Sequence, residues 1–343
     1  MSNTVQPIPE RNSSRPCAES TAVEVSRRRP WHVTTTGQIV AFWLIALVST
    51  VVALRPLGLD KDYQNYAEYY TSIIAGQDVN VEWGYKLLSW LLEFSGIGFL
   101  GVLFVYAFIA VFSKYVLIRR LPDVSVASGV YFGVLYFLIL FPLWELTQIR
   151  NAAAVAVCCL AIIEGKKSKA LLYFGLAILL HNVSFIVAGL WLLQRYFNTL
   201  KYLILVAGLV VIGLLLEYMP YYASYAADVY VEKFNPFSLK VLFVVVTFLY
   251  VQWSRTRSAK LFAYYSLGML FLYFTMARMP AAAVRVADIS LFFSILALSV
   301  TRGPLDKLYK PAVLIALGSM FTWISYFADA RLIDLSVIQV PGF

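Results

Sequence analysis

The chain has 343 residues, of which 61% are hydrophobic and 14% are charged, and its mean hydropathy is +0.74. This composition excludes an ordinary soluble domain and predicts an integral membrane protein. The net charge of +9 does not indicate nucleic-acid binding, because the basic residues lie in short loops between apolar segments, as the positive-inside rule describes. We therefore expect contact with membrane lipid and no nucleic-acid partner.

Histidine and cysteine are too few to predict a metal centre. The chain has two histidines, His32 and His181, and three cysteines. Cys17 lies in a polar N-terminal segment, whereas Cys158 and Cys159 are adjacent within an apolar segment. This spacing predicts neither a disulfide framework nor a set of zinc ligands. We expect no cofactor, although the paired carboxylates of a D-x-D sequence leave a divalent metal open.

The chain divides into a polar tail, a membrane domain and a second tail. Residues 1–37 are rich in Ser, Pro and Arg, a composition that predicts disorder. Arg27, Arg28 and Arg29 precede the first apolar segment, so we expect the N-terminus to lie in the cytoplasm. Residues 38–327 form the predicted membrane domain, and residues 328–343 form a predicted tail on the outer side.

Recurring apolar segments predict an all-α, multi-pass membrane fold. Each is about long enough to cross a bilayer as a helix. Between the first two lies an outer loop, residues 55–84, and then Tyr85–Phe94, which we predict to be an amphipathic helix at the membrane interface. The nine predicted full spans are Gln38–Leu54, Ile97–Ile118, Val124–Leu143, Trp144–Ile163, Tyr202–Glu217, Lys240–Trp253, Leu261–Ala277, Val284–Val300 and Pro311–Phe327.

A tenth apolar segment, Ala170–Leu193, is interrupted at its middle by His181 and Asn182. A single crossing would place the three basic clusters that follow it on the outer side, whereas a hairpin places all of them inside, as the positive-inside rule requires. Each arm of the hairpin is only about 17 Å long at 1.5 Å per residue. We therefore predict a short re-entrant helix pair whose tip, at His181, lies in an outward-facing cavity.

Ionisable residues at the outer ends of the spans are the candidates for a functional site. Arg150, Arg278 and Arg285 break the positive-inside pattern, and guanidinium groups suit bidentate binding of phosphate. The structural alternative is contact with lipid phosphates, or an internal pair of Arg285 with Asp288. His181 is a candidate because an ionisable group at membrane depth is costly unless it faces protein or water; the alternative is a buried histidine bonded to a carbonyl group.

Carboxylates on the outer side form a second set of candidates. Asp60-Lys61-Asp62 is a D-x-D sequence, which is able to hold a divalent metal on a pyrophosphate or to form an ordinary charged turn. Glu82 and Glu145 are two further outer carboxylates. Each has the chemistry to act as a base or to orient an arginine.

Four short motifs follow one another along the chain: D-x-x-x-Y at Asp62–Tyr66, E-x-G-Y at Glu82–Tyr85, I-R-N-A-A-A at Ile149–Ala154, and H-N-V-S at His181–Ser184. Their order resembles the EpsG family of bacterial exopolysaccharide proteins and, more broadly, Wzy-type O-antigen and capsule polymerases. The resemblance covers about Asp60–Leu193. It implies a glycosyltransferase of the bacterial cytoplasmic (inner) membrane with a GT-C-like, outward-facing cavity.

The resemblance also implies a substrate and partners. The substrate would be an oligosaccharide repeat linked to undecaprenyl pyrophosphate, and flippase and chain-length regulator proteins would be partners. The reaction would need a base for the acceptor hydroxyl group and cations for the pyrophosphate.

Residue roles follow from that implied reaction as hypotheses. His181 is the candidate base, Glu145 is the second candidate, and Asp62 completes the catalytic set. Arg150, Arg278 and Arg285 would bind pyrophosphate. The residues expected to contact or orient sugar are Tyr63, Tyr66, Glu82, Trp83 and the loop Tyr221–Tyr230.

Two other functions are compatible with the same sequence. A lipid-linked oligosaccharide flippase or another transporter would also use broken helices and buried ionisable residues, usually between structural repeats. No internal repeat is visible here. An O-antigen ligase or a membrane acyltransferase would likewise depend on a histidine and arginines.

Cysteines introduced at Arg257 or Lys307 test the predicted topology. Both positions lie in basic loops that the hairpin places on the inner side. We expect neither cysteine to react with a membrane-impermeant thiol reagent added outside intact cells. Reaction at either position would show that the hairpin prediction is wrong.

Overall fold

The structure is a computed structural model, and it describes residues 34–60, 62–122, 124–196, 208, 211, 234–328, 332–334 and 337. The described residues form α-helices and one π-helical turn and contain no β-strand. Four predicted features lie wholly or largely outside the described residues: the N-terminal tail, the span at 202–217, the tyrosine-rich loop at 221–230 and the C-terminal tail at 328–343.

The first part of the chain contains eight helices and the π-helical turn. They are α1 Thr35–Ala53, α2 Tyr63–Ile74, α3 Trp83–Phe94, α4 Phe99–Arg120, α5 Val126–Ile139, the π-helical turn Pro142–Thr147, α6 Ile149–Ile163, α7 Lys167–Leu180 and α8 Ser184–Tyr196. In the described part that follows residue 233, the helices are α9 Leu239–Gln252, α10 Arg257–Thr275, α11 Pro280–Val300 and α12 Asp306–Tyr326.

Helices α6 and α11 form the centre of the fold. Nearly every residue of both is buried, as expected for helices that are apolar on all sides. Helix α6 packs against α4, α7 and α8, and α11 packs against α5, α9 and α10. The alanines at the start of α6, Ala152–Ala154, allow the neighbouring backbones to approach closely, as small residues do in membrane helix packing.

Four of the described helices, α1, α4, α11 and α12, are long and apolar enough to cross a membrane. Several others, including α5, α6 and α9, are apolar but shorter. The structure therefore confirms a helical membrane protein. The count of nine full spans and the GT-C-like architecture stay predictions.

The predicted hairpin is present. The rings of Phe174 on α7 and Trp191 on α8 lie 5.3 Å apart, whereas in one continuous helix these residues would be about 25 Å apart at 1.5 Å per residue. His181 has an extended backbone, with φ −163° and ψ 136°, and it ends α7. The N–H of Ser184 then donates to the carbonyl oxygen of His181 at 3.1 Å as α8 begins. The tip of the hairpin is therefore His181–Val183.

The segment between α1 and α3, which was predicted to be a loop, contains the helix α2. The carboxylate of Asp60 accepts hydrogen bonds from the backbone N–H groups of Asp62 and Tyr63, both at 2.9 Å, and so fixes the turn from which the helix starts. Tyr66, Tyr70 and Ile73 are the buried residues of α2. Their spacing is helical, so the sequence carried a signal for this helix.

The boundary between the predicted third and fourth spans was also placed wrongly. Helix α5 ends at Ile139, and the π-helical turn follows, in which the N–H of Gln148 donates to the carbonyl oxygen of Leu143 at 3.0 Å. Gln148 then leaves the helical region, with φ −92° and ψ 51°, and α6 starts at Ile149. Because of this break, Glu145 and Arg150 belong to different helical segments and face different neighbours.

Gly84→Ala tests the close contact of α3 with α7. A Cβ at Gly84 would collide with the backbone carbonyl oxygen of Leu179, which is unable to rotate away. We expect the variant to lose about 1–3 kcal/mol of stability, as overpacking usually does, measured by unfolding in detergent.

The matched control is Gly175→Ala on α7, where an added Cβ meets nothing within 4 Å and alanine favours the helix. We expect this control to be as stable as the wild type or more so. Wild-type stability of Gly84→Ala would contradict the packing of α3 on α7.

Candidate functional site

A cavity of about 220 Å³ lies where the beginnings of four helices meet. These helices are α2, α6, α8 and α11. The N-terminus of an α-helix carries a partial positive charge and unpaired N–H groups, so this convergence favours an anion. The lining residues are Asp62, Asn65, Tyr66, Tyr69, Asn80, Gln148, Arg150, Asn151, His181, Asn182, Val183, Ile186, Met276, Ala282, Arg285, Val286 and Ile289.

The cavity has two chemically different walls. Helix α2, the segment before α3, the start of α6 and the hairpin tip supply its amides, tyrosines and charged groups. An apolar wall, in which Arg285 is the charged residue, comes from α8, α11, the residue after α10 and one residue of the hairpin tip. Its members are Val183, Ile186, Met276, Ala282, Val286 and Ile289. An amphiphilic ligand with an anionic group would match both walls.

The carboxylate of Glu82 connects two of the predicted site residues. Glu82 precedes α3, and its side chain is only 3% exposed. One oxygen, Oε1, contacts Nδ1 of His181, and the other, Oε2, accepts a hydrogen bond from Nη1 of Arg150. Burial acts to raise the pKa of Glu82, but its contact with His181 and the charge of Arg150 outweigh that effect and lower the pKa to about 2. Glu82 is therefore an ionised carboxylate at neutral pH.

Three tyrosine rings surround the guanidinium group of Arg150. The rings of Tyr66, Tyr69 and Tyr85 lie 5.4, 5.6 and 5.7 Å from it, which is the range of cation–π contacts. Hydrogen bonds hold this group of rings in place: the Tyr66 hydroxyl donates to the carbonyl oxygen of Thr147 at 2.9 Å, and the Tyr85 hydroxyl donates to that of Tyr66 at 2.7 Å. The orientation of Arg150 is thus fixed on several sides.

Arg285 and Asp62 are the other charged pair of residues at the cavity. Burial raises the pKa of Asp62, and the positive charges of Arg285 and, more weakly, Arg150 oppose that effect. The alternative partner considered for Arg285, Asp288, is buried one turn further along α11 and accepts a hydrogen bond from Lys240 at 2.5 Å.

The two carboxylates of the D-x-D sequence have separate environments. Asp60 is buried and accepts a hydrogen bond from Nε of Arg55 at 2.6 Å, in addition to its bonds to the start of α2. Asp62 lines the cavity. Asp60 therefore holds the fold together at this turn, and only Asp62 of the pair lines the candidate site.

The structure brings together five of the predicted site residues at the cavity lining, with Glu82 directly behind two of them. These five are Asp62, Tyr66, Arg150, His181 and Arg285.

Besides Glu82, four predicted site residues do not line the cavity. Tyr63 packs against Phe99, with ring centroids 5.5 Å apart. Trp83 is 68% exposed and lies beside Lys86. Arg278 is exposed in the segment between α10 and α11. Glu145 is the fourth, and it belongs to a separate buried cluster.

Glu145 forms an ion pair with Lys114 of α4. Its Oε1 accepts hydrogen bonds from Lys114 Nζ at 2.7 Å and from the Tyr136 hydroxyl at 2.6 Å, and its side chain is fully buried. A carboxylate enclosed in this way is unable to reach a ligand in the cavity without breaking the pair. Its predicted role as second base is therefore not supported by its position.

The lining residues that sequence analysis did not predict include Asn65, Tyr69 and Asn80. The first two are visible in retrospect, because Asp62, Asn65 and Tyr69 have the spacing of one helix face once α2 is recognised as a helix. Asn80 lies outside any regular element, and its sequence neighbourhood carries no signal for it.

Fold and cavity together define a multi-pass helical membrane protein that has a cationic, amphiphilic cavity. Comparison with known families gives the next step. The sequence profile of the EpsG family matches residues 38–336, which is most of the chain. The protein therefore belongs to the EpsG family, a family of Wzy-like polymerases, as the motifs predicted. No curated protein and no solved structure matches the chain.

Glu145→Gln tests the structural role of the Lys114–Glu145 pair. The variant leaves the Lys114 ammonium group buried without its counter-charge, so we expect the free energy of unfolding to fall by about 3–5 kcal/mol. Denaturant titration in mixed micelles measures it. The double variant Lys114→Met/Glu145→Leu should recover much of this loss, because it removes both buried charges. Unchanged stability with lost turnover in Glu145→Gln would instead support a catalytic role.

Proposed function

We propose that the protein polymerises oligosaccharide repeats carried on undecaprenyl pyrophosphate at the outer face of the bacterial cytoplasmic membrane. The growing glycan leaves its lipid carrier and joins a hydroxyl group of the next lipid-linked repeat. One observation carries the proposal: a single cavity joins a polar, cationic wall to an apolar wall. Such a cavity matches a ligand that consists of sugar, pyrophosphate and a polyprenyl chain.

The proposed reaction is a glycosyl transfer with pyrophosphate as the leaving group. The acceptor oxygen bonds to the anomeric carbon of the donor sugar, the bond from that carbon to pyrophosphate breaks, and its electron pair stays with pyrophosphate. Pyrophosphate is a weak base, so a general acid is not required. A base must take the proton of the acceptor hydroxyl group, and cations must stabilise the leaving group.

Positive charge for the pyrophosphate comes from Arg285, from Arg150 and from the helix N-termini around them. Guanidinium groups bind phosphate oxygens in pairs, and helix N-termini add N–H donors. Arg285 lies within the apolar wall, next to Ala282 and Val286. This position suits a pyrophosphate whose lipid chain continues along that wall. The proposed mechanism uses these groups and needs no metal or other cofactor.

The polar wall is the proposed place of the acceptor sugar. Amide side chains such as Asn65, Asn80 and Gln148 provide hydrogen-bond donors and acceptors for sugar hydroxyl groups, and Tyr69 provides an aromatic surface. Asp62 lies on the same wall as a further hydrogen-bond acceptor. His181, at the hairpin tip, is the proposed base for the acceptor hydroxyl group.

The proposed setting is a multi-pass protein whose N-terminus lies in the cytoplasm and whose cavity opens outward. Its substrate would then arrive from the inner leaflet through a flippase, and a chain-length regulator would limit the polymer. Both partners are proposed from the chemistry of the substrate, since a lipid-linked repeat that is assembled inside must cross the membrane before it is polymerised outside.

Polymerisation of a synthetic lipid-linked repeat by the purified protein in detergent tests the proposal. We expect a ladder of products from the wild type and a loss of about 100-fold or more in His181→Ala, in line with the contribution of a general base. Arg150→Ala should lose activity to a similar extent. The control is Arg195→Ala, because Arg195 lies over the Trp191 ring at 5.2 Å and is not part of the cavity lining.

Each contrary outcome has a distinct meaning. A folded wild-type protein that makes no ladder would overturn the polymerase and favour a transporter. Transfer of preformed polymer to an acceptor, without elongation, would indicate a ligase. A ladder that persists in His181→Ala would remove His181 from the reaction and leave Asp62 as the remaining candidate base at the cavity.

A further inference from the structure

Glu82 is the buried group on which the orientation of His181 depends. It lies behind the cavity, outside the lining residues, yet its carboxylate bridges a histidine 99 positions and an arginine 68 positions further along the chain. We infer that Glu82 is a positioning residue for the proposed reaction. Glu82 holds His181 in the tautomer that has a proton on Nδ1, with the unprotonated Nε2 towards the substrate. The inference deepens the proposed function and rests on it.

The tautomer follows from the chemistry of the two groups in contact. An ionised carboxylate only accepts hydrogen bonds, whereas neutral imidazole has one N–H donor and one acceptor nitrogen. Since Oε1 of Glu82 contacts Nδ1 of His181, Nδ1 must carry the proton. Nε2 then keeps its lone pair. His181 lines the cavity with 19% of its side chain exposed, so the basic nitrogen is available to a bound hydroxyl group.

Arg150 keeps Glu82 ionised and in place. Its Nη1 donates to the second carboxylate oxygen, and the surrounding tyrosine rings limit its movement. The backbone supports the same geometry, because Gly84 lies directly against the carbonyl of Leu179, two residues before His181. The carboxylate and the imidazole are thus held from both sides, by α3 packed on α7 and by Arg150 at the start of α6.

The bridge also places a negative charge beside the imidazole ring of His181. Asp62, Arg150 and Arg285 line the cavity together with His181, and Glu82 is the carboxylate in direct contact with its ring. When Nε2 takes the acceptor proton, the new positive charge lies next to Glu82. The carboxylate therefore stabilises the ion as well as the tautomer.

Glu82→Gln is the variant that tests this inference, with Glu82→Asp as the conservative variant. Loss of the carboxylate should lower kcat about 100-fold, within the contribution of a general base. KM should change little, because Glu82 does not line the cavity. Glu82→Asp should recover part of kcat, because it keeps the carboxylate.

Glu93→Gln, on helix α3, is the matched control. Glu93 also accepts a hydrogen bond, from the Tyr70 hydroxyl, but it does not line the cavity. We expect it to leave kcat unchanged. A merely structural role for Glu82 would lower the amount of folded protein without lowering kcat per folded molecule, and this outcome would overturn the inference.

NMR of 15N-histidine measures the tautomer without turnover. The chain has only two histidines, so in a His32→Gln background His181 gives the only imidazole signals. We expect the neutral wild-type ring to carry its proton on Nδ1 and Glu82→Gln to lose this preference. A proton on Nε2 in the wild type would overturn the inference. Failure of the wild type to polymerise would overturn the proposed function instead, and the NMR result would still decide the tautomer.

Discussion

The bridge from Glu82 to His181 and Arg150 is the interaction on which the geometry of the cavity depends. A buried carboxylate is strongly unfavourable unless its charge is matched and its oxygens are bonded. Here each oxygen has one partner, and the partners come from the hairpin tip and from the start of α6. One side chain therefore fixes three segments relative to one another. Because the partners also line the cavity, the same constraint that satisfies Glu82 places His181 and Arg150 side by side.

Two further buried ion pairs support the helices that carry the cavity arginines. Glu145 precedes Arg150 by five residues and is bound by Lys114 of α4, while Asp288 follows Arg285 by three residues and is bound by Lys240 of α9. Neither pair lines the cavity. Each pair ties the neighbourhood of one arginine to another helix. Repulsion between cations that share a small cavity is thereby opposed by fixed helices as well as by the carboxylates of Glu82 and Asp62.

Sequence patterns predicted more of this site than of its surroundings. His181, Arg150 and Arg285 were found because a charge at membrane depth or at an outer helix end departs from the usual pattern of membrane proteins. The hairpin followed from the distribution of basic loops. The predicted position of Glu145 is wrong because the break at Gln148 has no clear sequence signal, so the pattern predicts one continuous helix that contains both Glu145 and Arg150. Helix α2 was missed because its many polar residues resembled a loop, although Tyr66, Tyr70 and Ile73 had helical spacing.

The sequence by itself determined the class of the protein, its family, the hairpin and most of the charged residues of the cavity. These properties depend on hydropathy, charge and short motifs, which are local along the chain. Only the tertiary structure decided which carboxylate pairs with which cation. Glu82, Glu145, Asp60 and Asp288 are all acidic residues beside apolar segments, yet each has a different cationic partner. That choice depends on how helices far apart in sequence pack together, and no local pattern encodes a contact across 68 or 99 residues.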